Sequence, residues 1–172
     1  MNGTSLTLGL VGALAVGAAL RRGSRSERSD AQVRSLLERF GGSERLTFDE
    51  LPREAQQALV WLSDGTDFYG DLALTRAFHD GARFALFDVP VEAMKAAVIS
   101  AGISGDEWDD WDSYHHWYMQ NASPSLSERR ERWPVYLDLD RNAIELLLDG
   151  WHRLHTYVAR GWESIPVLAV FW

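Results

Sequence analysis

Apolar residues recur at helical spacing from the first charged stretch onward. Val33, Leu36, Leu37 and Phe40 share one face of a segment running from Ala31 to Phe40, with Asp30 placed to cap it and Gly41-Gly42 to stop it. The pattern repeats over Leu51 to Leu62, where Ala55, Leu59 and Leu62 lie on one side, Pro52 stands near the start and Asp64-Gly65 form a turn beyond. A third helix is expected over Phe68 to His79. The period then changes. Ala82 to Phe87 is a continuous apolar run that reads as a strand, followed by a helix capped by Asp88, opened by Pro90 and carried through Met94, Ala97 and Val98 to Gly102. Trp133 to Leu139 and Ala143 to Leu148 are apolar runs separated by Asp140-Arg141-Asn142, the pattern of a hairpin. A helix from Trp151 to Arg160, ended by Gly161, and a buried strand from Ile165 to Phe171 close the chain. The sum is an α+β fold, a small mixed sheet with packed helices, preceded by further helices.

The N-terminus follows another rule. Residues 5 to 20, SLTLGLVGALAVGAAL, carry no charge and are followed at once by Arg21 and Arg22, then Arg25 and Arg28. At about 1.5 Å per residue, a helix of this length spans roughly 24 to 27 Å, marginal against a hydrocarbon core of about 30 Å. No basic residue precedes the run, so a cleaved signal peptide is disfavoured, and basic residues after it would hold the folded part on the cytoplasmic side. Gly9, Ala13 and Gly17 recur every four positions and would also suit close packing against another helix. Three readings therefore stand: a short membrane anchor, a helix embedded in an assembly, or a disordered tail. The expected division is an N-terminal hydrophobic helix over 1–22, a linker and helical lead-in over 23–81, and the main domain over 82–172.

Composition narrows the classes of function. With 172 residues, 46% of them apolar and 12% aromatic, the chain can bury a core. Its formal net charge of -8 argues against a broad nucleic-acid footprint, although local basic patches keep that partner open. Sixteen of its seventeen basic residues are Arg, with Lys95 the exception, a bias from which no function is drawn. The absence of cysteine excludes disulfides, thiolate metal sites and cysteine nucleophiles.

The most informative chemistry lies in Asp149-Gly150-Trp151-His152-Arg153. Glycine permits a tight approach of backbone to ligand, and a helix beginning there presents free N–H groups and the positive end of its dipole. Such an end suits phosphate. Arg153 can add a bidentate clamp. The bland alternative is that Asp149 caps the helix, Gly150 makes the turn, and His152 and Arg153 are first-turn surface residues.

LLLDGWHRL, HTYVARG and ESIPVLAVF, in that order, resemble the ParB/sulfiredoxin superfamily, in which a strand, a glycine turn, a His-Arg or Arg-Arg pair and a helix precede a strand containing Ile-Pro. The resemblance covers roughly residues 82–172, and DGWHR is similar to the DGHHR-like motif of the free-serine kinases of that superfamily. It implies a ParB/sulfiredoxin-like fold and a phosphate-bearing ligand, ATP or another nucleotide with Mg²⁺. Gly150, Trp151, His152 and Arg153 would then contact phosphate, while Asp149 and His152 would serve any phosphoryl transfer or nucleotide hydrolysis. The sulfiredoxin reaction itself needs a cysteine that this chain lacks. A second string, Ser127 to Trp133, imitates the ParB motif without its glycine and is read as a decoy.

Three other groups carry candidate chemistry. Asp109, Asp112 and His116 fall on one side of a helix over Asp106 to Gln120, with Trp108, Trp111, His115 and Tyr118 on another. The first side offers a carboxylate–imidazole metal site and the second an aromatic contact surface, while acidic residues in a first turn and aromatic residues at this spacing are ordinary in a packed helix. His155, one turn beyond Trp151, is expected to pack rather than bind. Arg129, Arg130 and Arg132 read as a solvated basic helix flanked by Glu128 and Glu131. Two functions of different class follow: a nucleotide-binding domain with or without catalysis, or a non-catalytic, membrane-tethered or assembly-embedded interaction module whose anion site is vestigial.

Overall fold

The computed structural model describes residues 27–64, 81–103, 108–122, 132–138 and 146–171. Among them are five helices and a three-stranded mixed sheet. The helices are α1 (27–40), α2 (Arg53–Asp64), α3 (Val91–Ala101), α4 (Trp111–Asn121) and α5 (Trp151–Ala159). The strands are β1 (Arg83–Pro90), β2 (Val135–Asp138) and β3 (Ser164–Phe171). The α+β expectation holds at that level. The N-terminal hydrophobic segment and the helix expected over Phe68 to His79 lie outside the described residues.

The last strand is the middle of the sheet. β3 runs antiparallel to β1, from Arg83 opposite Phe171 to Pro90 opposite Ser164, and parallel to β2, from Val135 opposite Val167 to Asp138 opposite Val170. A central strand is covered on both faces, which explains the unbroken apolar sequence IPVLAVF. On one face, Ala85, Phe87, Val89, Ile165, Val167 and Ala169 meet α1, α3, α4 and α5. On the other, Phe84, Leu168, Val170 and Tyr136 meet Leu51, Ala55 and Leu59 around α2. Leu36, Leu59, Met94, Leu154 and Ile165 are fully buried, each worth roughly 1.5–3 kcal/mol of transfer free energy.

Several boundaries differ from the sequence expectation. Helix α1 is already formed at residue 27, so Asp30 lies inside it rather than at its cap. Strand β1 runs on through Asp88 to Pro90, because pairing with Pro166, Ile165 and Ser164 holds those residues extended; Pro90, not Asp88, is the N-cap of α3. The hairpin expected from Trp133 to Leu148 survives as an isolated bridge: the Leu148 N–H donates to the Tyr136 carbonyl and the Tyr136 N–H to the Asp149 carbonyl, both at 2.9 Å. β2 takes its ladder from β3 instead. Helix α4 starts at Trp111, with Asp110 accepting from the Ser113 N–H at 2.8 Å and the Ser113 hydroxyl at 2.9 Å.

Candidate functional site

The Asp149–Arg153 turn is built from β2 outward. The bridge to Tyr136 fixes Asp149, and Gly150 then turns with φ of 104° to become the N-cap of α5. A side chain there would be strained by the backbone angle, and its Cβ would stand 3.0 Å from the Val135 Cα and 3.1 Å from Arg153 Nη2. The glycine is required by close packing of the helix start on β2.

That packing also decides where the charges go. Arg153 reaches back one turn, and its Nη2 donates to Asp149 Oδ2 at 2.7 Å. The Arg153 side chain is 7% exposed and that of Asp149 32%, so the pair is largely withdrawn from water. Asp149, about a third exposed, thus stands beside the N-terminus of α5 already paired with the buried Arg153. Arg153 Nε is buried without a partner. His152 faces solvent, and its carbonyl accepts from the Thr156 hydroxyl at 2.7 Å. Trp151 is half-buried and meets Tyr114 edge-on, with ring centroids 6.2 Å apart.

A second cluster joins α5 to α4. His155 is wholly buried, and its Nδ1 lies 2.8 Å from Nδ1 of His115, forty residues earlier. Tyr118 stacks on the His155 ring at 3.8 Å and 4°, Trp111 at 5.0 Å and 16°, while Tyr114 meets it edge-on at 4.9 Å. His155 Nε2 is buried without a partner. If His155 carries its proton on Nδ1 and donates to His115, the orphaned atom is a bare lone pair rather than an N–H, the less costly arrangement. Burial, then the neighbouring His115 and His152, push the His155 pKa down to about 3. Burial, with Lys95 next, also lowers that of His115, against an opposing pull from Asp112. The expected packing role of His155 is observed. Among the described residues no group of three or more His, Cys, Asp or Glu side chains gathers as a metal site, so the Asp109, Asp112 and His116 arrangement is not assembled as one.

The outer side of α4 carries the third feature. Trp108 lies against both Tyr114 and Trp117, with ring centroids 5.7 Å apart in each case. Trp117 is 42% exposed, the exposed large apolar side chain among the described residues. Asp109 and Asp110, both exposed, immediately follow Trp108. The Ser113 backbone N–H and then its hydroxyl hold the Asp110 carboxyl below its ordinary pKa, so it is ionised at neutral pH.

A comparison with protein-family models finds no match, and neither the curated proteins nor the solved structures yield one.

The predicted site residues Asp149, Gly150, Trp151, His152 and Arg153 are thus contiguous at one helix end, as expected from their order, but the two charged side chains face each other. Asp149 stands before the N-cap Gly150 and outside the helix, so helical spacing alone did not signal that pairing. The His115–His155 contact had no signal, because nothing local links residues forty apart. Ser127, Arg129 and Arg130 lie outside the described residues.

Proposed function

We propose that this chain is a non-catalytic interaction module whose contact surface is the Trp108–Trp117 side of α4, and whose partner presents arginine or lysine side chains. The exposed Trp117, held by Trp108 and Tyr114, carries the reading. A cation over an indole face gains roughly 0.5–1 kcal/mol at an exposed site and about 2 when desolvated. The acidic side chains of Asp109 and Asp110 beside Trp108 supply complementary charge, and the net charge of -8 steers a basic partner from a distance. The Asp149–Arg153 pair supports the same reading: its charges are spent on each other, which suits a vestigial anion site. Tethering through residues 5–20 belongs to this proposal, and a detergent requirement that disappears on deleting residues 1–22 would support it.

The reading is tested by titrating an arginine-rich peptide into the protein at physiological ionic strength, beside the variants Trp117→Ala and Glu38→Gln. Trp117→Ala keeps every charge and is expected to weaken binding about fivefold, the worth of about 1 kcal/mol. Glu38→Gln removes an exposed charge on α1, outside the proposed surface, and is expected to change little. Equal affinity of Trp117→Ala and the parent sinks the proposal.

A second reading keeps the ParB/sulfiredoxin-like assignment and takes the turn as a site for a nucleotide with Mg²⁺. It is favoured by the unpartnered Arg153 Nε and by the exposed His152 at the same helix end. For phosphate to enter, Arg153 must exchange Asp149 for the ligand, with Asp149 released to Mg²⁺. Stabilisation by ATP and Mg²⁺ that is lost in Arg153→Ala supports this reading; none with any nucleotide removes it.

A further inference from the structure

A cavity of about 370 Å³ opens on the α2 side of the sheet, lined by no residue of α4 or of the Asp149–Arg153 turn. Its floor follows the register of the strands. Asp88 on β1 is paired with Pro166 on β3, and Pro134 stands just before β2, so the three form one row across the sheet. Leu86 and Phe87 extend the floor along β1, while Pro52, Glu54 and Ala55 from the start of α2 close one wall and Arg132 another. The volume lies within the range of small-molecule sites, roughly 300–1,000 Å³.

The lining has an unusual polar inventory. Three of its residues are prolines, which donate no backbone hydrogen bond. Its charged side chains are Glu54, Asp88 and Arg132, all exposed. Among the described residues none of the three is ion-paired, with one another or elsewhere. Charges of both signs therefore border one apolar floor and remain unspent, which contrasts with the closed Asp149–Arg153 pair. A ligand complementary to this lining carries a cation and an anion at once and has an apolar body.

We infer that this cavity is a binding site for a zwitterionic small molecule of the α-amino-acid type with an apolar side chain. The ligand's ammonium is held by Asp88 and Glu54, its carboxylate by the Arg132 guanidinium, and its side chain lies over Leu86 and the prolines. Ammonium–carboxylate and guanidinium–carboxylate bonds are charge-assisted, and the planar guanidinium can take a carboxylate with two bonds. The inference stands apart from the proposed interaction surface, with which it shares no residue.

The test uses the full chain and measures binding of phenylalanine by calorimetry and by its effect on the thermal midpoint. 3-Phenylpropionate, which lacks the ammonium, and 2-phenylethylamine, which lacks the carboxylate, are the controls. Phenylalanine is expected to bind with a dissociation constant of about 1 mM or tighter, and each control more weakly. Because all three charges border water, Arg132→Gln and Asp88→Asn are each expected to weaken binding about threefold or more. Both substitutions are at exposed positions, so the variants should melt with the parent. No binding of phenylalanine at about 10 mM, ten times that constant, would overturn the inference. So would equal binding of a control, or unchanged affinity in both variants.

Discussion

The imidazoles of His115 and His155 share one hydrogen bond, Nδ1 to Nδ1 at 2.8 Å, and it joins α4 to α5 inside a wall of aromatic rings. The geometry requires one ring to donate and the other to accept, so the accepting ring must be neutral. Protonating the acceptor sets two N–H groups face to face, and protonating the donor puts a charge and an unpartnered N–H at its buried Nε2. The contact therefore makes the helix pair acid-sensitive.

The sign follows from the depressed pKa. His155 titrates at about 3 in the folded chain, below its value of 6.5 when free of the fold. The unfolded chain binds more protons between these values, so the stability is fully present above about pH 6.5 and is lost as pH falls. At about 1.4 kcal/mol per pKa unit, His155 alone should remove roughly 2 kcal/mol between pH 6.5 and pH 5. Denaturant midpoints across that range should fall in the parent and fall less steeply in His155→Phe. Equal slopes would contradict the account.

Gly150 should be far less replaceable than Gly42. Both have positive φ, 104° and 59°, but a Cβ at Gly42 meets nothing within 4 Å, whereas at Gly150 it meets the Val135 backbone at 3.0 Å. Gly42→Ala should cost about 1 kcal/mol, the left-handed penalty alone. Gly150→Ala adds displacement of α5 from β2 and should cost about 3 kcal/mol. Thermal melts of the two variants decide it.

Much of this architecture can be read from the chain, and the exceptions have physical causes. Gly161 ended α5 as expected, and ESIPVLAVF gave a strand, because both signals are local. The role of β3 as the centre of the sheet was not legible, since order among strands depends on contacts between distant residues. Asp88 looked like a cap because Asp before Pro and a helical run is a good one; strand pairing with Pro166 outweighed it. In the candidate site, the order Asp149 to Arg153 placed a glycine at a helix start correctly. The direction of the Arg153 side chain was set by how deeply the turn packs on Val135, which sequence spacing does not encode.

The Asp149–Arg153 pair should show strong mutual dependence. Arg153→Met fills similar space but leaves the Asp149 carboxylate partly buried without its partner, and should destabilise more in the parent than in Asp149→Asn. A double-mutant cycle is expected to give a coupling of about 1 kcal/mol or more, less than for a fully buried pair because Asp149 is a third exposed. Additive effects would mean that the contact contributes nothing to the turn.

The most direct test of the interaction surface is to follow the indole and backbone N–H resonances of the protein while adding first an arginine-rich peptide and then ATP with Mg²⁺. The account predicts that the peptide shifts the indole signals of Trp117 and Trp108 and the amides of α4, while the nucleotide leaves Gly150, Trp151 and His152 unmoved. Unmoved indoles on adding the peptide, with nucleotide-induced shifts at Gly150 to Arg153, would contradict it and transfer the function to the helix end.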